Sequence, residues 1–156
     1  MAPEEICRKL GETRTRTIFS ELTAEAMKKV LREAAISTQR LASHTSTKKR
    51  NEDWSSRIWR AVNEKPAAAA TLLFEWLTRT RRPMLAEFLS AVEVAHQGGL
   101  TDADFMKDTA PEKLLAAGTA LLGKHPKADV AAYLLFLDAS NKSEIFAELK
   151  LEQYLS

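Results

Sequence analysis

Apolar residues recur along most of this chain at intervals of three and four, the spacing that places side chains on one face of an α-helix. The clearest stripe begins after Ser20 and consists of Leu22, Ala26, Val30 and Ala34, with charged residues on the other faces. A second stripe consists of Trp54, Ile58, Ala61 and Val62. The pattern predicts two amphipathic helices, each with one buried face.

Prolines divide the second half of the chain into further predicted helices. Pro66, Pro83, Pro111 and Pro126 each open or precede an apolar stretch with helical spacing, and none falls inside one. Proline is tolerated in the first turn of a helix because its missing N–H would have no intrahelical partner there. With a last helix expected up to Tyr154, the chain is predicted to be all-α, a compact multi-helix bundle of antiparallel helical hairpins with about 6–8 helices.

The first 50 residues have a weaker pattern than the rest. Residues 1–17 predict a short helix followed by a loose connection, and residues 43–51 contain no apolar side chain. That second stretch is predicted to be a loop or mobile linker, with Asn51 as the N-cap of the next helix. The chain is therefore expected to divide into a basic N-terminal arm, residues 1–50, and a compact helical body, residues 51–156.

The body contains two hairpins of similar plan, each with a proline before both of its helices. Pro66 and Pro111 are 45 residues apart, and Pro83 and Pro126 are 43 apart. These offsets lie near the period of HEAT-type and armadillo-type repeats. Because stable solenoids usually need at least three repeats, a compact bundle is favoured, and a HEAT-like hairpin pair stays open as an alternative.

Charge is distributed unevenly along the chain, although its net value is only +2. Residues 1–82 hold 17 Lys and Arg against 10 Asp and Glu, whereas residues 83–156 hold 6 against 11. Opposite charges of this kind suit attraction between the two parts, within one fold or in a head-to-tail dimer. They equally suit a basic face that binds an acidic partner.

Cysteine content and the lack of long apolar runs indicate the compartment. Cys7 is the single cysteine and cannot form an internal disulfide, which is typical of a reducing compartment. The first ten residues contain no apolar run of the length a secretory signal needs, and no uncharged run approaches the roughly 20 residues that cross a bilayer. We therefore expect a soluble cytoplasmic protein with no membrane contact.

Catalytic, cofactor and metal motifs are not found in the sequence. The histidines His44, His96 and His125 lack the spacing that puts two metal ligands on one helix face, and the five glycines form no phosphate-binding loop. The densest polar cluster runs from His96 to Asp104, where a metal or acid/base pocket competes with simple complementation of helix dipoles, which is favoured. The chain is predicted not to be an enzyme and to hold no cofactor.

Basic residues near tryptophans are the best candidates for partner binding. The predicted contact residues are Lys48, Lys49, Arg50, Arg57, Trp59, Arg60, Arg79, Arg81 and Arg82. Arginine and tryptophan are enriched at protein-binding hot spots, while cations and exposed indoles also suit nucleic acid. Trp59 lies about 140° from Trp54 around the helix axis, so either this helix packs between two neighbours or one indole faces a partner. Trp76 is a further contact candidate, with burial in the core favoured.

The sequence thus predicts a non-catalytic helical module for protein interaction or regulation, whose partner is another protein or a second copy of the chain. Helical hairpins commonly bind a partner helix or peptide along an apolar groove. The alternative is a nucleic-acid-binding protein that uses its basic N-terminal half.

Overall fold

The computed structural model describes residues 1–37 and 47–156, and within those ranges the protein is all-α without a β-strand. The α-helices are α1 (Pro3–Ser20), α2 (Ala24–Glu33), α3 (Thr47–Glu64), α4 (Pro66–Thr80), α5 (Arg82–Ala91), α6 (Phe105–Asp108), α7 (Pro111–Lys124) and α8 (Lys127–Asn141). Two 3₁₀ turns follow, Ala147–Leu149 and Leu151–Tyr154. The predicted all-α class is confirmed.

The chain forms two compact units, residues 2–76 and residues 77–156, and the division falls between Trp76 and Leu77 within α4. The boundary that the sequence predicted, after residue 50, falls inside α3, and the separate arm and body stay a prediction. Residues 2–76 carry 14 Lys and Arg against 10 Asp and Glu, and residues 77–156 carry 9 against 11. The charge asymmetry of the sequence is therefore also an asymmetry between the two units.

Helix α1 is broken at Gly11, whose backbone angles are φ 81° and ψ 167°. Only glycine adopts this conformation readily. In an unbroken helix Phe19 would lie about 140° from Ile6 around the axis, so the two could not face one side. The kink lets both be buried, and the hydroxyl of the buried Thr15 donates to the Cys7 carbonyl across it (3.1 Å). The loose connection predicted after a short first helix is wrong, because the second segment is helical to Ser20.

Helix α2 confirms the first predicted stripe. Its buried residues are Ala26, Met27, Val30 and Leu31. The Thr23 hydroxyl caps its first turn by accepting from the Ala26 N–H (3.2 Å). At its other end Ala35 adopts a left-handed φ of 56°, while the Ile36 N–H donates to the Leu31 carbonyl (2.9 Å), a Schellman motif that usually employs glycine.

Replacing Ala35 by glycine is expected to stabilise the protein by about 1 kcal/mol, because glycine adopts the left-handed conformation without a Cβ clash. Ala35 is exposed, so the change removes no core contact. The free energy of unfolding in urea measures the effect. Ala34→Gly is the matched control, since Ala34 is buried with φ −77° and should lose stability. An Ala35→Gly protein no more stable than the wild type would contradict the prediction.

Helix α3 begins four residues before the predicted N-cap Asn51. The predicted linker is thus wrong for residues 47–51, while its first part, residues 43–46, lies outside the described residues. Lysine and arginine are good helix formers, so a stretch without apolar residues lacks a buried face but still extends a helix.

The second predicted stripe, on α3, is confirmed, because Trp54, Ile58, Ala61 and Val62 are all buried. Arg16 of α1 donates to the Ser55 hydroxyl of α3 (3.3 Å).

Helix α5 ends at Ala91, seven residues before Gly98, although glycine is the usual residue just past a helix end. Glu93 adopts a left-handed φ of 59°, and the Val94 N–H donates to the Leu89 carbonyl (2.9 Å), which closes the helix without a glycine. Gly98 and Gly99, with φ of 55° and 89°, instead form a two-residue turn between Gln97 and Leu100.

The core of residues 77–156 lies where α5, α7 and α8 meet. The ring of Phe88 makes edge-on contacts with Tyr133 at 5.4 Å and with Phe146 at 6.2 Å between centroids. Gly118 allows α7 to approach α8 closely, since a Cβ there would lie 2.9 Å from Cδ1 of Leu134. The HEAT-like relation of the hairpins stays a prediction.

The last segment differs from the predicted helix. Two 3₁₀ turns replace it, separated by Lys150 with a left-handed φ of 47°. The buried carboxylate of Asp138 accepts hydrogen bonds from the N–H groups of Ile145 and Phe146 (3.0 Å each) and from the Ser143 hydroxyl (2.6 Å). Asp138 therefore holds the start of this segment against α8.

Candidate functional site

Trp76 is a core residue, which confirms the interpretation favoured from the sequence. Its side chain is completely buried, and its Nε1 donates to the Glu21 carboxylate (3.0 Å). The Arg14 guanidinium lies over the indole, 5.6 Å from its centroid, and 3.8 Å from the same carboxylate. Glu21 therefore links α1 to α4 within residues 2–76, and Trp76 offers no surface to a partner.

The predicted cluster of Arg79, Arg81 and Arg82 is largely engaged within residues 77–156. Arg81 pairs with the buried carboxylate of Asp129, with 2.8 Å between Nε and Oδ2. Arg82 donates from Nε to the Gly98 carbonyl (3.0 Å) and so holds the glycine turn. Arg79 is exposed. Arg81 and Arg82 thus have structural roles, and the role of the cluster in partner binding stays a prediction.

The predicted contact residues of α3 lie among acids. Arg57 pairs with Asp53 one turn earlier (3.2 Å), and Glu64 follows Arg60 by four residues on the same face. Arg57 and Arg60 are exposed, whereas Trp59 is partly buried. A nucleic-acid surface needs an excess of cations, and this face carries two arginines and two acids.

The first turns of α3 hold the other three predicted contacts. The Arg50 guanidinium lies 5.2 Å from the centroid of the Trp54 ring, and Lys49 is exposed. The side chain of Lys48 lies outside the described residues. Arg50 is thus turned toward its own helix, where a cation over an indole face is attracted by the ring quadrupole.

The polar cluster that begins at His96 forms a hydrogen-bonded loop. The His96 Nε2 lies 2.8 Å from the Ser90 hydroxyl, and the Gly99 N–H donates to Nδ1 (3.1 Å). A histidine that activates a serine must accept the serine proton, but here Nδ1 is the acceptor, so in the neutral ring Nε2 carries the proton. The pair therefore has the wrong polarity for a nucleophile and its base. The described residues contain no group of His, Cys, Asp and Glu suited to a metal ion.

Glu87, Lys124 and His125 form a charged cluster that no sequence motif indicated. Lys124 Nζ lies 2.8 Å from one carboxylate oxygen of Glu87, and His125 Nε2 lies 2.7 Å from the other. These hydrogen bonds, that of Lys124 first, lower the pKa of Glu87 below its ordinary value. The cluster joins α5 to the end of α7, and a separation of 38 residues left no local signal for it.

The Cys7 thiol is buried, and that burial, together with the nearby charge of Glu4, raises its pKa to about 12. A thiol with this pKa stays protonated near neutral pH and is a poor nucleophile.

The most unusual surface residue is Phe74 on α4, whose side chain is 52% exposed. Ala67, Ala70 and Thr71 lie within about 60° of it around the helix axis, and all three are exposed or partly exposed. We call these four residues the Phe74 face. Leu100, at 39%, is the other large apolar side chain that is exposed among the described residues.

The Phe74 face shows that α4, although rich in apolar residues, is not buried on every side. Leu72, Leu73 and Trp76 are buried, but Phe74 is half-exposed and the next residue, Glu75, is buried. Lys29 of α2 reaches that carboxylate (3.2 Å), which explains how a charge is tolerated there. A run of apolar residues does not show which of its members stays in solvent.

Comparison of the chain with models of protein families, with curated proteins and with solved structures finds no match. Over the described ranges, no helix has the length and apolar character needed to span a membrane.

Proposed function

We propose that this chain is a helical protein-interaction module that binds its partner through the Phe74 face of α4. The observation that carries the proposal is the 52% exposure of an aromatic side chain on a helix whose other large apolar residues are buried. Exposed apolar surface is commonly a binding surface when it forms a patch. Here the patch consists of Phe74 and the small side chains around it.

The chemistry of the Phe74 face suits an apolar helix or peptide. Alanine and threonine leave little bulk beside the ring, so another backbone can approach α4 closely while Phe74 packs against its side chains. Ala67, Ala70, Thr71 and Phe74 are uncharged, so apolar contact supplies the attraction. An amphipathic helix laid across such a face is a common mode of recognition.

Nucleic-acid binding, the alternative from the sequence, has less support. Arg81 and Arg82 make internal contacts, and Arg57 pairs with Asp53. Phosphate binding would compete with these contacts, which lowers the number of cations that can release counterions.

The test is a pull-down from the native host with the full-length chain at moderate salt, with and without nuclease. Phe74→Ser is compared with the wild type and with Leu100→Ser, which removes the other exposed apolar side chain. We expect partner proteins to survive nuclease and bind wild type and Leu100→Ser equally. Phe74→Ser should bind them about tenfold or more weakly, the loss typical of an anchoring residue.

Two outcomes would contradict the proposal. Equal capture by Phe74→Ser and wild type would show that the Phe74 face is not the contact. Material that is lost on nuclease treatment and released steeply by salt would instead support the nucleic-acid alternative. A thermal melt of Phe74→Ser confirms that any loss comes from the surface, since replacing an exposed side chain should leave the fold intact.

A further inference from the structure

The turn from Gln97 to Leu100 is attached to α5 at two points. On one side the Arg82 guanidinium donates to the Gly98 carbonyl (3.0 Å). On the other side the His96 ring lies between the Ser90 hydroxyl of α5, 2.8 Å from Nε2, and the Gly99 N–H, 3.1 Å from Nδ1. The ring thus connects the end of the helix to the backbone of the turn.

The second attachment depends on the protonation of His96. A backbone N–H always donates, so Nδ1 must present a lone pair to Gly99, and the neutral ring then carries its proton on Nε2, directed at the Ser90 oxygen. A protonated imidazolium has an N–H at both positions. Two donors would then face each other between Nδ1 and Gly99, and this hydrogen bond cannot form.

We propose that His96 is a proton-sensitive latch on the turn 97–100, closed when its ring is neutral and open at the Gly99 side when the ring is protonated. The contact between Nε2 and the Ser90 hydroxyl survives protonation, because Nε2 donates in both forms. The Arg82 contact with Gly98 also persists, since arginine stays charged. Opening is therefore local to Gly99 and to the neighbouring Leu100, whose side chain is 39% exposed.

Charged groups near the latch include Arg82, Glu93 and Lys113. Arg82 of α5 brings a positive charge to the turn that His96 holds. Glu93, just before the loop, is already paired with Lys113 of α7 and has its pKa lowered by that partner. His96 contacts a hydroxyl and a backbone N–H, whereas His125 contacts the Glu87 carboxylate directly. The two histidines should thus respond oppositely, protonation weakening the contact of His96 and strengthening that of His125.

Nitrogen NMR of the full chain tests the first half of the proposal. At pH 8 we expect the ¹⁵N shifts and couplings of the His96 ring to show a protonated Nε2 and an unprotonated Nδ1. The opposite tautomer would overturn the proposal, because Nδ1 could then not accept from Gly99.

Amide hydrogen exchange tests the second half. Between pH 8 and pH 5, after correction for the intrinsic pH dependence of exchange, the Gly99 amide should lose protection about fivefold to tenfold, the equivalent of one hydrogen bond. The Val94 amide, bonded to the Leu89 carbonyl, is the internal reference and should not change. Unchanged protection of Gly99 while His96 titrates would overturn the proposal.

Three variants identify the side chain that causes the pH response of the Gly99 amide. His96→Gln cannot titrate and should abolish the pH response of Gly99, whereas Ser90→Ala and His125→Gln should keep it. Loss of the response in His125→Gln with His96 intact would place the switch at the other histidine and overturn the assignment. If His96→Gln does not fold, the tautomer and exchange measurements on the wild type still decide the question.

Discussion

Replacing Asp138 by alanine is expected to destabilise residues 77–156 by about 3–5 kcal/mol. The carboxylate, only 5% exposed, accepts from two backbone N–H groups and from the Ser143 hydroxyl. Alanine would leave the N–H groups of Ile145 and Phe146 without an acceptor, and the Phe146 residue is fully buried. Each hydrogen bond to a charged group contributes about 1.5–3 kcal/mol, and each buried donor left unpaired costs a similar amount.

Graded variants separate the contributions of these bonds. Ser143→Ala removes the hydroxyl alone and should cost about 1.5–3 kcal/mol, the contribution of one hydrogen bond to a charged group. Asp138→Asn keeps one acceptor oxygen, so its cost should lie between those of Ser143→Ala and Asp138→Ala. Urea denaturation of the full chain provides the free energies. A loss below about 1 kcal/mol for Asp138→Ala would show that the terminal segment is held by its apolar contacts instead.

Replacing Gly99 by alanine is expected to cost about 3 kcal/mol or more. A Cβ at this position would lie 2.6 Å from the carbonyl oxygen of Arg82 and 3.0 Å from the backbone nitrogen of Ala86, and φ is 89°. Backbone atoms of α5 cannot move aside as a side-chain end can, so the turn would have to separate from the helix. The melting temperature and the Gly99 region of an NMR spectrum report both effects.

Gly98→Ala is the matched control for this clash. Gly98 also has a positive φ, 55°, but a Cβ there would meet only the Arg82 guanidinium, at 3.6 Å. It should therefore cost about 1 kcal/mol, the ordinary penalty for a left-handed residue. Equal losses for the two variants would show that backbone conformation, and not the close approach to α5, accounts for the effect.

The comparison of helix ends shows where sequence reasoning fails. The helix expected after Pro83 is present, but it closes at Glu93, a residue with no special preference for positive φ. Gly98 and Gly99, although glycine commonly follows a helix end, are used in the turn held by Arg82 and His96. Glycine marks a place where the chain needs positive φ, and both helix ends and turns need it.

The sequence predicted the candidate site less well than it predicted the helix ends. Two arginines of the expected contact set make internal contacts instead. Arg81 bonds Asp129, 48 residues away, and Arg82 bonds the Gly98 carbonyl, 16 residues away. Phe74, which carries the proposed function, belongs to an apolar run whose other large members are buried. Exposure depends on what packs against each face of α4, and a single apolar run contains no information about that.

The sequence by itself determined the fold class and the local structure of the protein. The all-α class, the helix starts near Pro66, Pro111 and Pro126, and the buried stripes of α2 and α3 all follow from helical spacing and proline chemistry, which act within a few residues. Only the tertiary structure decided which charges are paired, which aromatic ring is half-exposed and how Asp138 secures the end of the chain. Those outcomes depend on groups distant in sequence that approach within hydrogen-bonding or packing distance, and no local pattern encodes that approach.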